Sequence, residues 1–353
     1  MPSQDILVIG GGPAGLEAAR SIADLGYRAI LVEKRDRLGG TPDEAGYAAL
    51  TPDLRNAEEA MNEMIARVQN NPNVELHLGA TVVDAKGQAP DFTVTIKNAK
   101  ESKQVNVGAV IICTGFQHFD PGRETQKYGY YEFPDVITLV DCEKMLKAHR
   151  VVRPSTGEPP ERVCFIQCVG SRDRRIGNEY CSKVCCGIAS KEAIEIKQQL
   201  PNAKVFIFYI DMRMYGYWEN EIYWPAQEKY KVNYVKGIAT EILQRDGKLL
   251  VRGEDTTMRR PFEIPMDLVV LSVGMEPSAG TREMAKIFGL KQNKYKFIET
   301  IGGALDTVST TVPGVFAAGA CTGPADLEDS ISAAGLAAVK AISTVRQAET
   351  VKA

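Results

Sequence analysis

Ile6-Leu7-Val8-Ile9-Gly10-Gly11-Gly12-Pro13-Ala14-Gly15 decides the fold, read together with Glu33, 18 residues beyond Gly15. The four leading residues are apolar without alternation, the pattern of a parallel strand buried on both faces. Glycines follow at once in the form G-x-G-x-x-G, and after Pro13 the apolar residues Ala18, Ile22 and Leu25 recur at helical spacing until Gly26. A second apolar run, Ala29-Ile30-Leu31-Val32, ends at Glu33. Strand, glycine turn, helix, strand and acid in this register predict a βαβ unit that binds a dinucleotide. Gly10 permits the tight turn, Gly12 lets the backbone approach a pyrophosphate, and Gly15 lets helix and strand pack. The helix start at Pro13 and Ala14 supplies partial positive charge, and Glu33 would accept hydrogen bonds from ribose hydroxyls.

Outward from this stretch the pattern repeats. Residues 75–95 read as strand-like, and Val110-Ile111-Ile112-Cys113 is a buried run closed by Thr114-Gly115. Residues 119–160, rich in Pro, Gly and charge, predict a connection into a second domain. There Val163–Ile166 reads as a strand, Ile188–Leu200 as a helix and Val205–Ile210 as a strand, with Asp211 in the place of Glu33. Leu268–Leu271 is another buried run, and Gly314–Gly319 precedes a helix to about Val345. The expected fold class is α/β, with two dinucleotide-binding, Rossmann-like domains, the second inserted into the first. Residues 1–118 and 291–353 would form the first, 119–290 the second.

Composition agrees with this and narrows the partners. The chain has 353 residues, 44% hydrophobic and 25% charged, which fits two globular domains rather than a disordered or fibrous chain. Its 42 Lys and Arg against 45 Asp and Glu give a formal charge of −3, no field for a nucleic-acid backbone. A cationic leader and a run of 18 apolar residues are both missing, so neither a signal peptide nor a membrane span is expected, and the location read from this is cytoplasmic. Eight cysteines in such a chain point to thiolate ligands or redox groups before structural disulfides.

NAD and FAD share the glycine fingerprint, so the choice rests on other segments. Leu38-Gly39-Gly40 follows Glu33, Thr114-Gly115 ends a strand, and a glycine-rich strand returns before Gly319. Here the chain resembles the two-dinucleotide-fold flavoproteins of the thioredoxin reductase and glutathione reductase type. That resemblance implies FAD, lined by Gly10, Gly12, Pro13, Ala14, Gly15, Glu33, Lys34, Gly39, Gly40, Thr41, Val82, Thr114, Gly115, Gly319, Ala320, Ser330 and Ile331. Asp329-Ser330-Ile331 matches the start of a helix whose positive end faces the flavin and would stabilise its reduced, negative form. One departure stands out: the superfamily has Gly-Asp where this chain has Gly319-Ala320, so the usual carboxylate for the ribityl chain is missing.

The second domain carries cysteines where a second glycine loop belongs. Gln167-Cys168-Val169-Gly170-Ser171-Arg172-Asp173 and Tyr180-Cys181-Ser182-Lys183-Val184-Cys185-Cys186 leave only Gly170 for a turn, so a nicotinamide nucleotide is not expected. Cys168, Cys181, Cys185 and Cys186 form C-x12-C-x3-C-C, a set suited to an iron-sulfur cluster or to zinc. Cys181 and Cys185 would stand one turn apart if helical. Strand alternation would put Cys164 on the face of Cys168, although a buried filler role suits it better, and Cys113, Cys142 and Cys321 read as structural. Arg172, Arg174, Arg175 and Lys183 crowd the same stretch and, close to a cluster, would favour its reduced state.

These motifs closely resemble the A-type subunit of heterodisulfide reductase and its relatives, through Phe208–Arg213 and Gly319–Pro324 as well, over essentially the whole chain. The resemblance implies a 4Fe-4S cluster on the four cysteines beside an FAD domain. No C-x2-C-x2-C-x3-C-P run occurs, and the chain looks like the short, stand-alone form found in the heterodisulfide reductase-like complex of cytoplasmic sulfur oxidation. Other subunits of such a complex and a second copy in a homodimer are the expected partners. The aromatics from Tyr209 to Tyr234 divide into core residues and an exposed interface. The competing readings are a self-contained NAD(P)H-dependent flavin disulfide reductase and a zinc-stabilised scaffold.

Overall fold

The computed structural model describes residues 3–350, which form two compact units. One holds the chain up to Glu44, Glu59–Gln117 and everything from Glu276 on; the other holds Ala45–Glu58 and His118–Met275.

In the first unit five parallel strands lie in the order Val315–Ala317, Ala109–Ile112, Ile6–Ile9, Ala29–Val32 and Val74–His77. Ile6–Ile9 is central and buried throughout, which is why its sequence shows no alternation. The pleat still sorts its side chains. Ile6 and Val8 pack against the helices Pro13–Asp24 and Leu327–Thr350, where Ala18, Ala19, Ala334, Ala337, Ala338 and Ala341 are all buried and let the helices approach closely. Leu7 and Ile9 pack on the opposite face, against Phe92, Val94 and Ile96 of a three-stranded antiparallel sheet and against Met284 and Phe288. Burying each of these four side chains contributes roughly 1.5–3 kcal/mol before entropy.

The second unit repeats the plan. Its parallel strands run Asn233–Arg245, Lys204–Tyr209, Arg162–Val169, Leu268–Val273 and Val136–Thr138, the last supplied from upstream where the first unit uses a downstream strand. From Gly237 onward the outer strand turns antiparallel and pairs Lys248–Asp255, which pairs Arg260–Met266. The α/β class with a second Rossmann-like unit inserted into the first is therefore observed.

Local differences from the sequence reading have physical causes. The helix expected at Ile188 begins at Cys185, so Cys185 and Cys186 occupy its first turn. Cys181 lies before that helix, not one turn away along it. Cys164 does not share a face with Cys168, because a bulge between Ile166 and Val169 breaks the alternation. Residues 276–290, expected in the second domain, lie with the first because Met284, Ala285 and Phe288 fill its core. Residues 45–58 lie with the second, held there by Glu143 and Lys191. Among the described residues no helix is long and apolar enough to cross a membrane.

Candidate functional site

The carboxyl ends of the parallel strands in the first unit gather the residues read as the dinucleotide cradle. Gly10 has φ +109°, and a Cβ there would stand 2.3 Å from Cys113 O. A Cβ on Gly15 would fall 1.7 Å from Gly10 O, so turn and helix meet only because both residues are glycine. The helix Pro13–Asp24 starts at Gly12 with no capping side chain and no acid in its first turn, leaving its N–H groups to face the cradle. Glu33 is buried; its Oε2 accepts Gly11 N–H at 2.6 Å and its Oε1 accepts Arg35 N–H at 2.8 Å. Gly40 backs onto Gly12, where a Cβ would come within 2.5 Å of the Gly12 Cα. Gly39 N–H donates to Gly11 O at 2.9 Å, and Thr41 follows on the short helix Gly40–Glu44.

Thr114 and Gly115 close the strand Ala109–Ile112. On the far side Gly319, at φ +76°, brings Ala14 and Ser330 together: a Cβ there would lie 2.9 Å from Ala14 Cβ and 3.6 Å from Ser330 Oγ. Ala320 is buried in the turn Gly319–Cys321. The last helix begins at Leu327 rather than Asp329, so Ser330 closes its first turn and Ile331 opens the second, and Ser330 Oγ donates to Asp326 O at 2.7 Å. Two expected residues stand apart: the Lys34 side chain is exposed and the Val82 side chain points into the core with Phe92 and Ile96. The sequence reading missed a hydroxyl cluster in which Ser278 Oγ donates to Thr114 O at 2.9 Å and Thr281 Oγ1 meets Thr114 Oγ1 at 2.8 Å. No motif marks these two residues; the Ser278 cap of the helix Ala279–Ile287 was the only local signal.

In the second unit Cys168 lies at the end of the strand Arg162–Val169, Cys181 in the loop that follows, and Cys185 and Cys186 in the first turn of the helix Cys185–Gln199. Two residues, Gln167 and Cys168, stand opposite the single Ser272 at the bulge, and Cys168 takes φ +63°. Gly170, Arg172 and Lys183 also have positive φ. The fold clamps this backbone: Asp173 and Asn178 exchange both backbone bonds, Tyr180 OH donates to Met275 O at 2.7 Å, and Ser182 Oγ accepts Met275 N–H at 2.9 Å. Lys183 N–H donates to Cys181 Sγ at 3.3 Å and Arg213 N–H to Cys186 Sγ at 3.5 Å. Burial pushes the Cys185 thiol well up and the Cys186 thiol up to about 11. Burial also raises Cys168, opposed by the Arg172 guanidinium beside it. Each of the six pairs among Cys168, Cys181, Cys185 and Cys186 is close enough to interact electrostatically. Among the described residues, however, no group of three or more Cys, His, Asp or Glu side chains is placed to hold a metal ion. Cys164 is fully buried in the core, and burial raises its thiol.

The surrounding charges differ from the expected cationic crowd. Arg174 faces Glu179, and Arg175 faces Asp173 and Glu124. Arg172 acts on Cys168 and Arg213 on Cys181; Arg172 also holds Asp211 through two bonds of 2.6 and 3.1 Å, with Arg213 Nε on the same carboxylate at 3.2 Å. Asp211, at the ribose-binding position of a dinucleotide fold, is thereby occupied by two guanidinium groups. The Trp218 ring packs against the first turn of the cysteine helix, where a Cβ at Gly187 would meet it at 2.3 Å. Tyr209, Tyr223 and Tyr234 make edge-on contacts, whereas Tyr215, Tyr217 and Trp224 are exposed.

Comparison with known proteins adds three findings. A family model described as pyridine nucleotide-disulphide oxidoreductase matches residues 1–132. The chain is 31% identical over 421 residues to the A-type subunit of the ferredoxin/F(420)H(2)-dependent CoB-CoM heterodisulfide reductase of Methanosarcina acetivorans, an alignment covering 96% of this chain and 53% of that one. It is 31% identical to the iron-sulfur A-type subunit of the CoB–CoM heterodisulfide reductase of Methanocaldococcus jannaschii, covering 93% and 62% respectively. The chain thus spans between half and two thirds of the length of these relatives. Among solved structures, the thioredoxin reductases of T. acidophilum and Lactococcus lactis superpose with TM-scores of 0.66 and 0.64 at 19% identity, over 97% and 98% of this chain and 99% and 100% of theirs.

Proposed function

The chain is an oxidoreductase of the family formed by the A-type subunits of heterodisulfide reductase, and from that premise we propose that it is an electron-transfer subunit carrying FAD and a 4Fe-4S cluster. It would act within a cytoplasmic heterodisulfide reductase-like complex in sulfur-compound oxidation, with other subunits and a second copy of itself as partners. The observation that carries this reading is the gathering of four mutually interacting thiols at the strand ends where a dinucleotide fold otherwise holds a pyrophosphate. When bound, the flavin exchanges two electrons together or singly and the cluster exchanges one, so the pair converts between two-electron and one-electron chemistry.

The residues suit both groups. In the first unit the helix start at Gly12 carries no capping side chain and no acid, which suits a pyrophosphate, and Glu33 is fixed by two N–H donors for a ribose. Backbone N–H groups of Gly319 and Ala320 and the hydroxyl of Ser330 replace the missing ribityl carboxylate in this reading. In the second unit the donor set is four free cysteines, two of whose sulfurs already accept backbone N–H bonds. Such bonds and the Arg172 charge favour the thiolate and the more negative, reduced state of a bound cluster. The disulfide-reductase alternative loses support from Asp211, whose carboxylate is taken up by Arg172 and Arg213.

Anaerobic purification followed by assay of iron, acid-labile sulfide and extracted flavin tests the reading. The expected result is FAD with about four iron and four sulfide per chain, lost together in C168S, C181S, C185S or C186S while FAD stays bound. Zinc in place of iron, or a full cluster surviving loss of any two of the four cysteines, would overturn it.

A further inference from the structure

Three buried polar side chains around the cysteine loop make no hydrogen bond within the described protein. They are Gln167, with both amide atoms unpartnered, and Ser171 and Ser272 through their hydroxyls. A polar atom withdrawn from water without a partner is destabilising, so native structures rarely retain one unless a bound group or an ordered water completes it. Three such residues at one end of two neighbouring strands, and on the turn that follows, are a stronger signal than one.

Their placement ties them to the cysteines. Ile166 pairs Leu271 and Val169 pairs Val273, so Gln167 and Cys168 together face Ser272 across the bulge. Ser171 closes the turn that begins at Cys168, donating its N–H to Cys168 O at 3.3 Å. Gly274, two residues beyond Ser272, leaves open a point 3.1 Å from Ser171 Cβ and 2.8 Å from Ser182 Oγ, the neighbour of Cys181. Both cysteine-bearing segments and the strand end at Ser272 therefore converge. Ser182 has its partner in Met275 N–H, whereas the other three side chains do not.

We propose that Gln167, Ser171 and Ser272 donate hydrogen bonds, directly or through one ordered water, to the sulfur atoms of the group held by the four cysteines, and thereby set its reduction potential. The inference rests on the cluster reading and goes beyond it by assigning positioning residues that bind no metal. Donors aimed at sulfur stabilise the added negative charge of the reduced state, so each one removed makes reduction harder.

The test uses Q167L and S272A in the full chain, purified anaerobically, with iron and sulfide per flavin measured before anything else. Loaded Q167L is expected to show a reduction equilibrium about tenfold less favourable, 59 mV lower for a one-electron couple, together with a changed EPR signal. S272A removes one donor without adding bulk and should shift the potential the same way, so it decides the matter if Q167L fails to load. A loaded variant with the wild-type potential and higher thermal stability would overturn the proposal, since relief of a buried orphan amide would then be its whole effect. Wild-type protein without iron and sulfide would overturn the cluster reading itself, and this inference with it.

Discussion

Glu192 offers a prediction whose size follows from its surroundings. It lies fully buried on the cysteine helix, and neither carboxyl oxygen makes a hydrogen bond of good geometry within the described protein. Burial and the nearby Glu143 push it well above the usual carboxylate range, only partly opposed by Lys191, whose ammonium is engaged by Glu143, by Glu195 at 3.1 Å and by Ala49 O at 3.1 Å. The Cys142 thiol alongside is a weak donor, and Glu195 and Tyr47 complete the ionisable groups around it. Glu192 therefore holds its proton to higher pH in the folded chain than in the unfolded one. With a raised folded-state value, its contribution is fully present below the unfolded value near 4.3 and is lost as pH rises. Each pH unit across which the native state keeps this one proton while the unfolded chain has released it costs about 1.4 kcal/mol. E192Q keeps the shape and removes the proton. The stability difference between E192Q and wild type should be smallest near pH 4 and widen in favour of E192Q as pH rises, by up to about 1.4 kcal/mol per pH unit, measured as the difference in denaturation midpoints of the second unit. Every other titrating group is common to both proteins and cancels. A difference that stays flat from pH 5 to 8, with no carboxylic-acid infrared band lost in E192Q, would refute the argument.

Other outcomes follow from single contacts. Gly15→Ala drives a Cβ into Gly10 O and should abolish FAD retention, read as flavin per protein after gel filtration, while iron content in the second unit is preserved. Gly187→Ala collides with the Trp218 ring and should displace it, seen as a shift in tryptophan fluorescence and as a less stable cysteine helix by about 1–3 kcal/mol. NADH and NADPH should fail to bleach the flavin rapidly, because Asp211 is held by two arginines; stoichiometric bleaching in a stopped-flow trace would return the disulfide-reductase reading to first place.

The parts of this architecture that were legible in the sequence are those governed by short-range rules. Ile6–Ile9 announced a strand buried on both faces because no position in it could tolerate a polar residue. Gly10 and Gly15 announced a turn because no side chain fits between strand and helix there. The same rules failed where the backbone departs from its period. Alternation along Arg162–Val169 predicts which face Cys164 shares only if the ladder is regular, and the bulge at Gln167 and Cys168 makes it irregular. Nothing in residue type signals that Cys168, Arg172 and Lys183 each take positive φ, since none of them is a glycine.

Long-range compensation was the other hidden term. No sequence pattern marks Lys191, Glu192 and Glu195 as withdrawn from water, since charged residues are rarely buried. The fold buries Lys191 and Glu192 and half-buries Glu195 by bringing Glu143 from a second helix and Ala48 and Ala49 from a distant segment, so that the Lys191 charge meets Glu143 and Glu195. Asp211 shows the same principle at the candidate site. Its position on the strand end suggests a ribose ligand, and the sequence places Arg172 39 residues away, with no period or motif linking the two. Only the turn through Cys168 and Gly170, forced by the bulge, swings Arg172 onto that carboxylate. The backbone distortion at Cys168 therefore also sets Arg172 onto the acid that stands at the ribose position of the strand end.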